Sequence, residues 1–450
     1  MFKGRKKELE ILESRFSSSR KEFGVIYGRR RIGKTELILH FMEKKDGLIF
    51  QAKRTSAYGN LKSFSYALNK LTGMPLSFVY SNYEEAFDSL KNYVKNNRFI
   101  LAIDEYPYIL EQDSSFSSVI QEFIDYAPDN IMMILSGSDV SFLKNEINNH
   151  NSPLYKRRTF EIELKKMPFD EMKEFVKDFP FEERCNFLSF MSSYPYYLSA
   201  INQTISFEEN MIQLIFNQYG TFFTLPDQLL SNSTNKQDIY NAILEAIAHR
   251  KRHIKEIAEY THEDSAKISK YIATLLNGEI LIRKEMFEGN QKSNYYEISD
   301  PLLRFWYTFI YGNEERIRIN GRLVYQELKG QIYNFLCKGM EEVALSYIEL
   351  LNSQGKLKHI FKPLKEYKVE KSKIGRSIEI DGLSRIENHL LVVECKFRNK
   401  PFTSSMMEHL VESASVFPNK LEKEYYIFSK SGFEIEPSEH IHLIDFKDII

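Results

Sequence analysis

Cysteine is scarce in this chain and tryptophan almost absent: three of the one and one of the other in 450 residues. Cys185, Cys337 and Cys395 lie far apart and form no C-x-x-C pair, which excludes a disulfide framework and argues against structural zinc. Long apolar runs are missing too. No stretch reaches membrane-spanning length, and the charged start Phe2-Lys3-Gly4-Arg5-Lys6-Lys7-Glu8 does not suit a signal peptide. A cytoplasmic protein with no membrane partner is therefore expected. An excess of one charge is also lacking, since 61 lysines and arginines face 62 aspartates and glutamates. Any surface for nucleic acid must be local. What is present is ordinary globular material, 43% hydrophobic and 27% charged, with length for about three domains.

The most informative stretch is Val25-Ile26-Tyr27-Gly28-Arg29-Arg30-Arg31-Ile32-Gly33-Lys34-Thr35. It reads as an apolar strand, a glycine-bounded loop, and a helix beginning at Lys34-Thr35-Glu36-Leu37. That is G-x-x-x-x-G-K-[ST] in its required strand–loop–helix setting. Two glycines let successive N–H groups turn inward on a phosphate, and the helix start adds its dipole. The expected nucleotide-binding set runs Gly28, Arg29, Arg30, Arg31, Ile32, Gly33, Lys34, Thr35 and Glu36. Lys34 would reach the outer phosphates of ATP and Thr35 would ligate magnesium.

A second stretch, Arg98-Phe99-Ile100-Leu101-Ala102-Ile103-Asp104-Glu105, is a near-continuous apolar run, as a parallel strand buried on both faces requires. It ends in two carboxylates at the edge where open α/β sheets bind ligands. Asp104 is expected on the magnesium ion and Glu105 on the attacking water. Ile131–Ser138 repeats the pattern, with Ser136 or Ser138 placed to bond the water or the γ-phosphate; a plain strand-end turn is the alternative. Arg157 and Arg158 put two guanidinium groups before a strand at Phe160–Leu164, either as an arginine aimed at a γ-phosphate or as a solvated charge pair. The amphipathic helix starting at Glu8 either packs beside the base or is an ordinary surface helix.

From residue 167 to 232 the pattern is helical and aromatic, suited to a lid. Three short helical patterns, around Ile239–Ile247, Ile254–Ala258 and Ser265–Leu276, precede a hairpin Glu279–Lys284, Gly289-Asn290, Tyr295–Ile298, which together read as a winged helix-turn-helix. Lys267, Ser269 and Lys270 of the third helix are its expected DNA contacts, diluted by nearby Glu263 and Asp264. The C-terminal part offers a helix around Lys338–Ala344, then a strand ending at Asp381 and a strand carrying Glu394 and Lys396 on one face. With Glu341 these form a carboxylate–lysine set that could hold a second magnesium or a manganese ion for phosphodiester attack; a salt-bridged pair of strand ends is the plain alternative.

Taken together, Phe2-Lys3-Gly4-Arg5, the phosphate-loop stretch, Ile103-Asp104-Glu105-Tyr106, Leu135-Ser136-Gly137-Ser138, Pro153–Thr159, Asp300-Pro301 with Phe305-Trp306, Val393-Glu394-Cys395-Lys396 and Phe428–Phe433 resemble the archaeal-type P-loop ATPases of the AAA+/STAND group. The resemblance spans nearly the whole chain. It implies an α/β architecture: a P-loop parallel sheet (1–166), a helical lid (167–232), a winged helix (233–315) and a C-terminal domain like PD-(D/E)xK nucleases (316–450). It implies Asp104 and Glu105 as the Walker B pair, Ser136 or Ser138 as sensor, and Arg157 or Arg158 as arginine finger, which in trans would need a homo-oligomer. Two positions depart from the family's pattern: Ser193-Tyr194 stands before Pro195 where Gly-Gly-x-Pro is usual, and Lys156 stands where glycine commonly precedes the arginines. The function expected is an ATP hydrolase switching a DNA-bound module. The alternatives are a metal-dependent nuclease regulated by the ATPase and a signalling scaffold with an inactive nuclease fold.

Overall fold

The computed structural model describes residues 2–94, 97–191, 194–230, 237–289, 293–370, 372 and 375–450. The expected turn residue Asn290, Ser193 of the lid, and the boundary at 232/233 lie outside the described residues. The chain forms two compact units, one of residues up to Met167 together with Tyr194–Tyr196, the other of the remainder.

The first unit is built on five parallel strands: β1 (Glu22–Tyr27), β2 (Gly47–Gln51), β3 (Phe99–Asp104), β4 (Ile131–Gly137) and β5 (Phe160–Glu163). They are ordered β2-β3-β4-β1-β5. Every residue of β1, β3 and β4 is buried, which is why these segments are apolar almost throughout: helices cover both faces of the sheet. The crossover order brings the C-terminal ends of β1, β3 and β4 side by side, with Ile103 opposite Leu135 and Tyr27 opposite Gly137. Phe23, Val25, Leu101, Ile103, Met133 and Leu135 form one continuous core with the flanking helices' aromatic rings, among them Phe64, Phe87 and Phe116.

The second unit begins with short helices through Leu230. Three further helices, Gln237–Ala248, Ile254–Thr261 and Ser265–Asn277, lead into an antiparallel pair, β6 (Leu281–Lys284) and β7 (Tyr295–Ile298). The long helix Glu314–Ser353 follows, broken in backbone angle at Asn320, whose side chain caps the continuation by accepting from Leu323 N at 3.0 Å. Lys338–Ala344 is thus a short part of a much longer helix than its sequence pattern suggests. A mixed sheet closes the chain: β8 (Lys365–Val369), β9 (Ile378–Ile386), β10 (His389–Lys396), β11 (Glu422–Ser429) and β12 (Ile441–Asp445), ordered β12-β11-β10-β9-β8. Asp381 does not end its strand as expected. β9 continues through Gly382 to Ile386, because Leu383, Ser384, Arg385 and Ile386 keep their partners on β10.

Candidate nucleotide site and a second charged cluster

The loop between β1 and the helix Lys34–Met42 owes its shape to two glycines acting differently. Gly33 sits at φ +95°, in the left-handed region that disfavours a side chain. Gly28 is required by space, since a Cβ there would stand 2.5 Å from the carbonyl oxygen of Leu164. Arg31, also left-handed at φ +67°, completes the turn. Arg5, buried, donates to the Ile32 carbonyl at 2.9 Å and steadies the loop from behind.

Lys34 points back into the loop it leaves. Its ammonium donates to Gly28 O at 2.8 Å, Arg29 O at 3.1 Å and Ser138 Oγ at 2.9 Å. Burial lowers its pKa, against the attraction of Glu105 and Asp104. Thr35 Oγ1 donates to Asp104 Oδ2 at 2.6 Å. Asp104 is fully buried and also accepts from Ser136 Oγ at 2.5 Å and from Gln51 Nε2 at 3.3 Å. Glu105, at φ +53°, turns its carboxylate onto Ser138, accepting from Ser138 Oγ at 2.5 Å and Ser138 N at 3.3 Å.

Six side chains from three segments thus meet at one sheet edge: Lys34, Thr35, Asp104, Glu105, Ser136 and Ser138. The hydroxyl–carboxylate pair of Thr35 and Asp104 is right in kind for a hard divalent cation, and the loop's inward backbone with Lys34 is right for phosphate. Sequence reasoning missed Gln51. Its signal was the end of β2, which the register sets directly opposite Asp104.

Other expected residues lie differently. Arg29 and Arg31 stack over Tyr194 and Tyr196, at 5.6 and 4.8 Å from the ring centroids, and Arg30 donates to the Tyr108 hydroxyl at 2.9 Å. Glu36 is exposed on the helix's first turn. Arg157 is held by Asp125 at 3.1 Å and by the Pro153 carbonyl, and Arg158 by Glu161 at 2.7 Å and the Ile147 carbonyl. Both guanidinium groups therefore have local partners.

In the second unit, Lys267, Ser269 and Lys270 are exposed on their helix, as a contact face requires. Lys267, however, is bonded at 2.8 Å to both oxygens of Glu263 one turn earlier, and the Ser269 hydroxyl donates to Ser265 O. Glu341, Asp381, Glu394 and Lys396 do assemble. Burial and the facing Asp381 push Glu341 up to about 8. Glu394 is pushed up to about 7 by burial and by Asp381, and burial raises Asp381 as well. Asp381 accepts from Cys395 N at 2.8 Å, and Lys396 donates to Glu394 Oε1 while Glu394 Oε2 is buried without a hydrogen-bond partner. Among the described residues no three His, Cys, Asp or Glu side chains converge to hold an ion, and the Lys396 ammonium occupies Glu394 instead.

Residues 2–190 match a family model described as an ATPase domain predominantly from Archaea, and residues 306–410 match one described as archaeal and bacterial proteins of unknown function. An uncharacterized protein of Methanocaldococcus jannaschii is 28% identical over 404 residues, 89% of this chain and 88% of that protein. An uncharacterized ATP-binding protein of the same organism is 49% identical over 45 residues, 10% of this chain and 76% of that protein. Among solved structures, a Walker-type ATPase of Pyrococcus abyssi superposes with a TM-score of 0.52 at 19% identity, covering 68% of this chain and 96% of that one. At that identity the likeness establishes the fold, an α/β P-loop NTPase sheet with its helices. No helix among the described residues is long and apolar enough to cross a membrane.

Proposed function

We propose that this protein is a magnesium-dependent ATPase that works as a nucleotide switch, coupled to a winged helix-turn-helix formed by the three helices and the β6–β7 hairpin, and acting on DNA. The observation that carries the reading is the meeting of Lys34 and Thr35 with Asp104 and Glu105 at one sheet edge. Thr35 and Asp104 would hold magnesium, which when bound neutralises phosphate charge. Lys34 exchanges its loop carbonyls for phosphate oxygens. Ser136 fixes the Asp104 carboxylate. Glu105, once it leaves Ser138, accepts a proton from the attacking water. Arg157 or Arg158 would serve as a finger only by giving up Asp125 or Glu161, and a neighbouring subunit is the natural acceptor.

Lys34→Ala is expected to abolish binding of labelled ATP. Glu105→Gln is expected to keep binding and lose turnover. Wild-type hydrolysis in both variants would overturn the assignment.

A second reading, a nuclease regulated by the ATPase, is favoured by one observation, the gathering of the half-buried Glu341 and Asp381 and the buried Glu394 beside Lys396. Supercoiled plasmid incubated with magnesium or manganese tests it: nicking that disappears in Asp381→Ala and Lys396→Ala supports it. Intact plasmid under every nucleotide condition leaves the switch, or a scaffold role, standing alone.

A further inference from the structure

The second unit contains a cavity of about 560 Å³, lined by the turn after Gln237–Ala248, the β6–β7 hairpin, the middle of the long helix, and Asp381 of β9. Its charges are unevenly satisfied. Glu297 of β7, itself buried, is shared by three cations: Arg304 at 2.8 Å, Arg252 at 3.3 Å and Lys284 at 3.6 Å. Arg304 also reaches Glu342 at 2.6 Å. Arg250, Arg283 and Lys338 line the same cavity outside this network, and all three are exposed. Seven lysines and arginines line the cavity against six carboxylates, Glu285, Glu341, Glu366 and Asp381 among them; the excess of cation is one, and the exposed Arg250, Arg283 and Lys338 are where a phosphate would meet it.

The wall is also stiff. Arg252 lies over the Tyr295 ring at 4.9 Å and Arg304 over Phe335 at 5.6 Å, so both guanidinium planes are fixed by stacking as well as by Glu297. Fixed guanidinium planes are surfaces on which unpaired bases stack. Volume decides the form of the ligand. The cavity lies inside the range of about 300–1,000 Å³ typical of small-molecule pockets, room for a nucleotide or two and far too little for a duplex, whose major groove alone is about 12 Å wide.

We propose that this cavity takes the unpaired end of a single nucleic-acid strand, its phosphates on Arg250, Arg283 and Lys338 and its base against the stacked arginines. The site shares Glu341 and Asp381 with the nuclease reading and so deepens it by naming the substrate, but binding here requires no cleavage. A free mononucleotide carries the same chemistry, and the test separates the two sources.

Fluorescence anisotropy is measured on the full chain in EDTA, without ATP, using a labelled 5′-phosphorylated single-stranded 15-mer, with a covalently closed dumbbell duplex and dAMP as competitors. The 15-mer is expected to bind, the dumbbell to compete about tenfold more weakly or worse, and Arg250→Glu with Arg283→Glu to weaken the 15-mer about tenfold or more. Lys338→Glu, on a different element, is expected to act in the same direction, and a circular-dichroism thermal melt of each variant that matches wild type reports that the second unit is folded. Equal competition by the dumbbell, unchanged affinity in the charge-reversed variants, or binding of dAMP without binding of the 15-mer would each overturn the proposal. Manganese added afterwards distinguishes the two readings: an end that is held yet never cut defeats the nuclease and leaves the cavity's role intact.

Discussion

Ser138 is a residue whose weight comes from position alone. It bonds Lys34 on one side and Glu105 on the other, so the two groups proposed to meet the phosphate and the attacking water are tied to each other through one hydroxyl. Nothing in Leu135-Ser136-Gly137-Ser138 decides which serine does which task, and both readings were open from the residues. The fold divides them, Ser136 to Asp104 and Ser138 to Glu105. Glu341 makes a residue-scale prediction. Its carboxyl is raised from an ordinary 4.5 to about 8 by burial and by Asp381. Below the ordinary value both folded and unfolded chains hold the proton. As pH rises toward 8 the unfolded chain releases it first, so this group makes folding progressively less favourable across that window. Denaturant unfolding of wild type and Glu341→Gln is expected to show the fall with pH shallower in the variant, and parallel curves would refute it.

At the scale of elements, the long helix Glu314–Ser353 carries three glycines, two of them, Gly330 and Gly339, in opposite circumstances. A Cβ at Gly339 would stand 2.1 Å from the Ser189 carbonyl oxygen, whereas at Gly330 it would meet nothing within 4 Å. Gly330→Ala is expected to stabilise the protein by up to about 1 kcal/mol through helix propensity. Gly339→Ala is expected to destabilise it by about 1–3 kcal/mol, because the clash with packed backbone outweighs the same propensity gain. Equilibrium unfolding of the two variants checks the opposite signs.

That helix also marks where sequence reading stopped. Strands β1, β3 and β4 were legible because burial on both faces demands unbroken apolar runs, and the phosphate loop because its chemistry fixes its spacing. The long helix was seen only at Lys338–Ala344, since interior glycines and long polar stretches obscure its period. Asp381 read as a strand end, whereas the pairing of Gly382 and the four residues after it with β10 carries β9 onward. The grip of Ser138 on Lys34 and the reach of Gln51 to Asp104 depend on strand order, which no local pattern encodes.

For the whole molecule, two units with separate cores should respond separately to a ligand that only one of them holds. ATP with magnesium at about 100 times its dissociation constant raises the stability of the state that binds it by about 2.7 kcal/mol. Calorimetry is expected to show an early or late transition moving up with nucleotide while another stays in place, and Lys34→Ala to remove the movement. A single transition shifting as one would contradict that independence.

The chain itself does not respect the division so neatly. The first unit reclaims Tyr194–Tyr196 from beyond its own end, and those rings are what Arg29 and Arg31 rest on. One scission near Met167 would therefore never release that unit whole. A fragment stopped there would leave two loop arginines without their aromatic seats, and the shortest piece worth expressing by itself must run on past Tyr196.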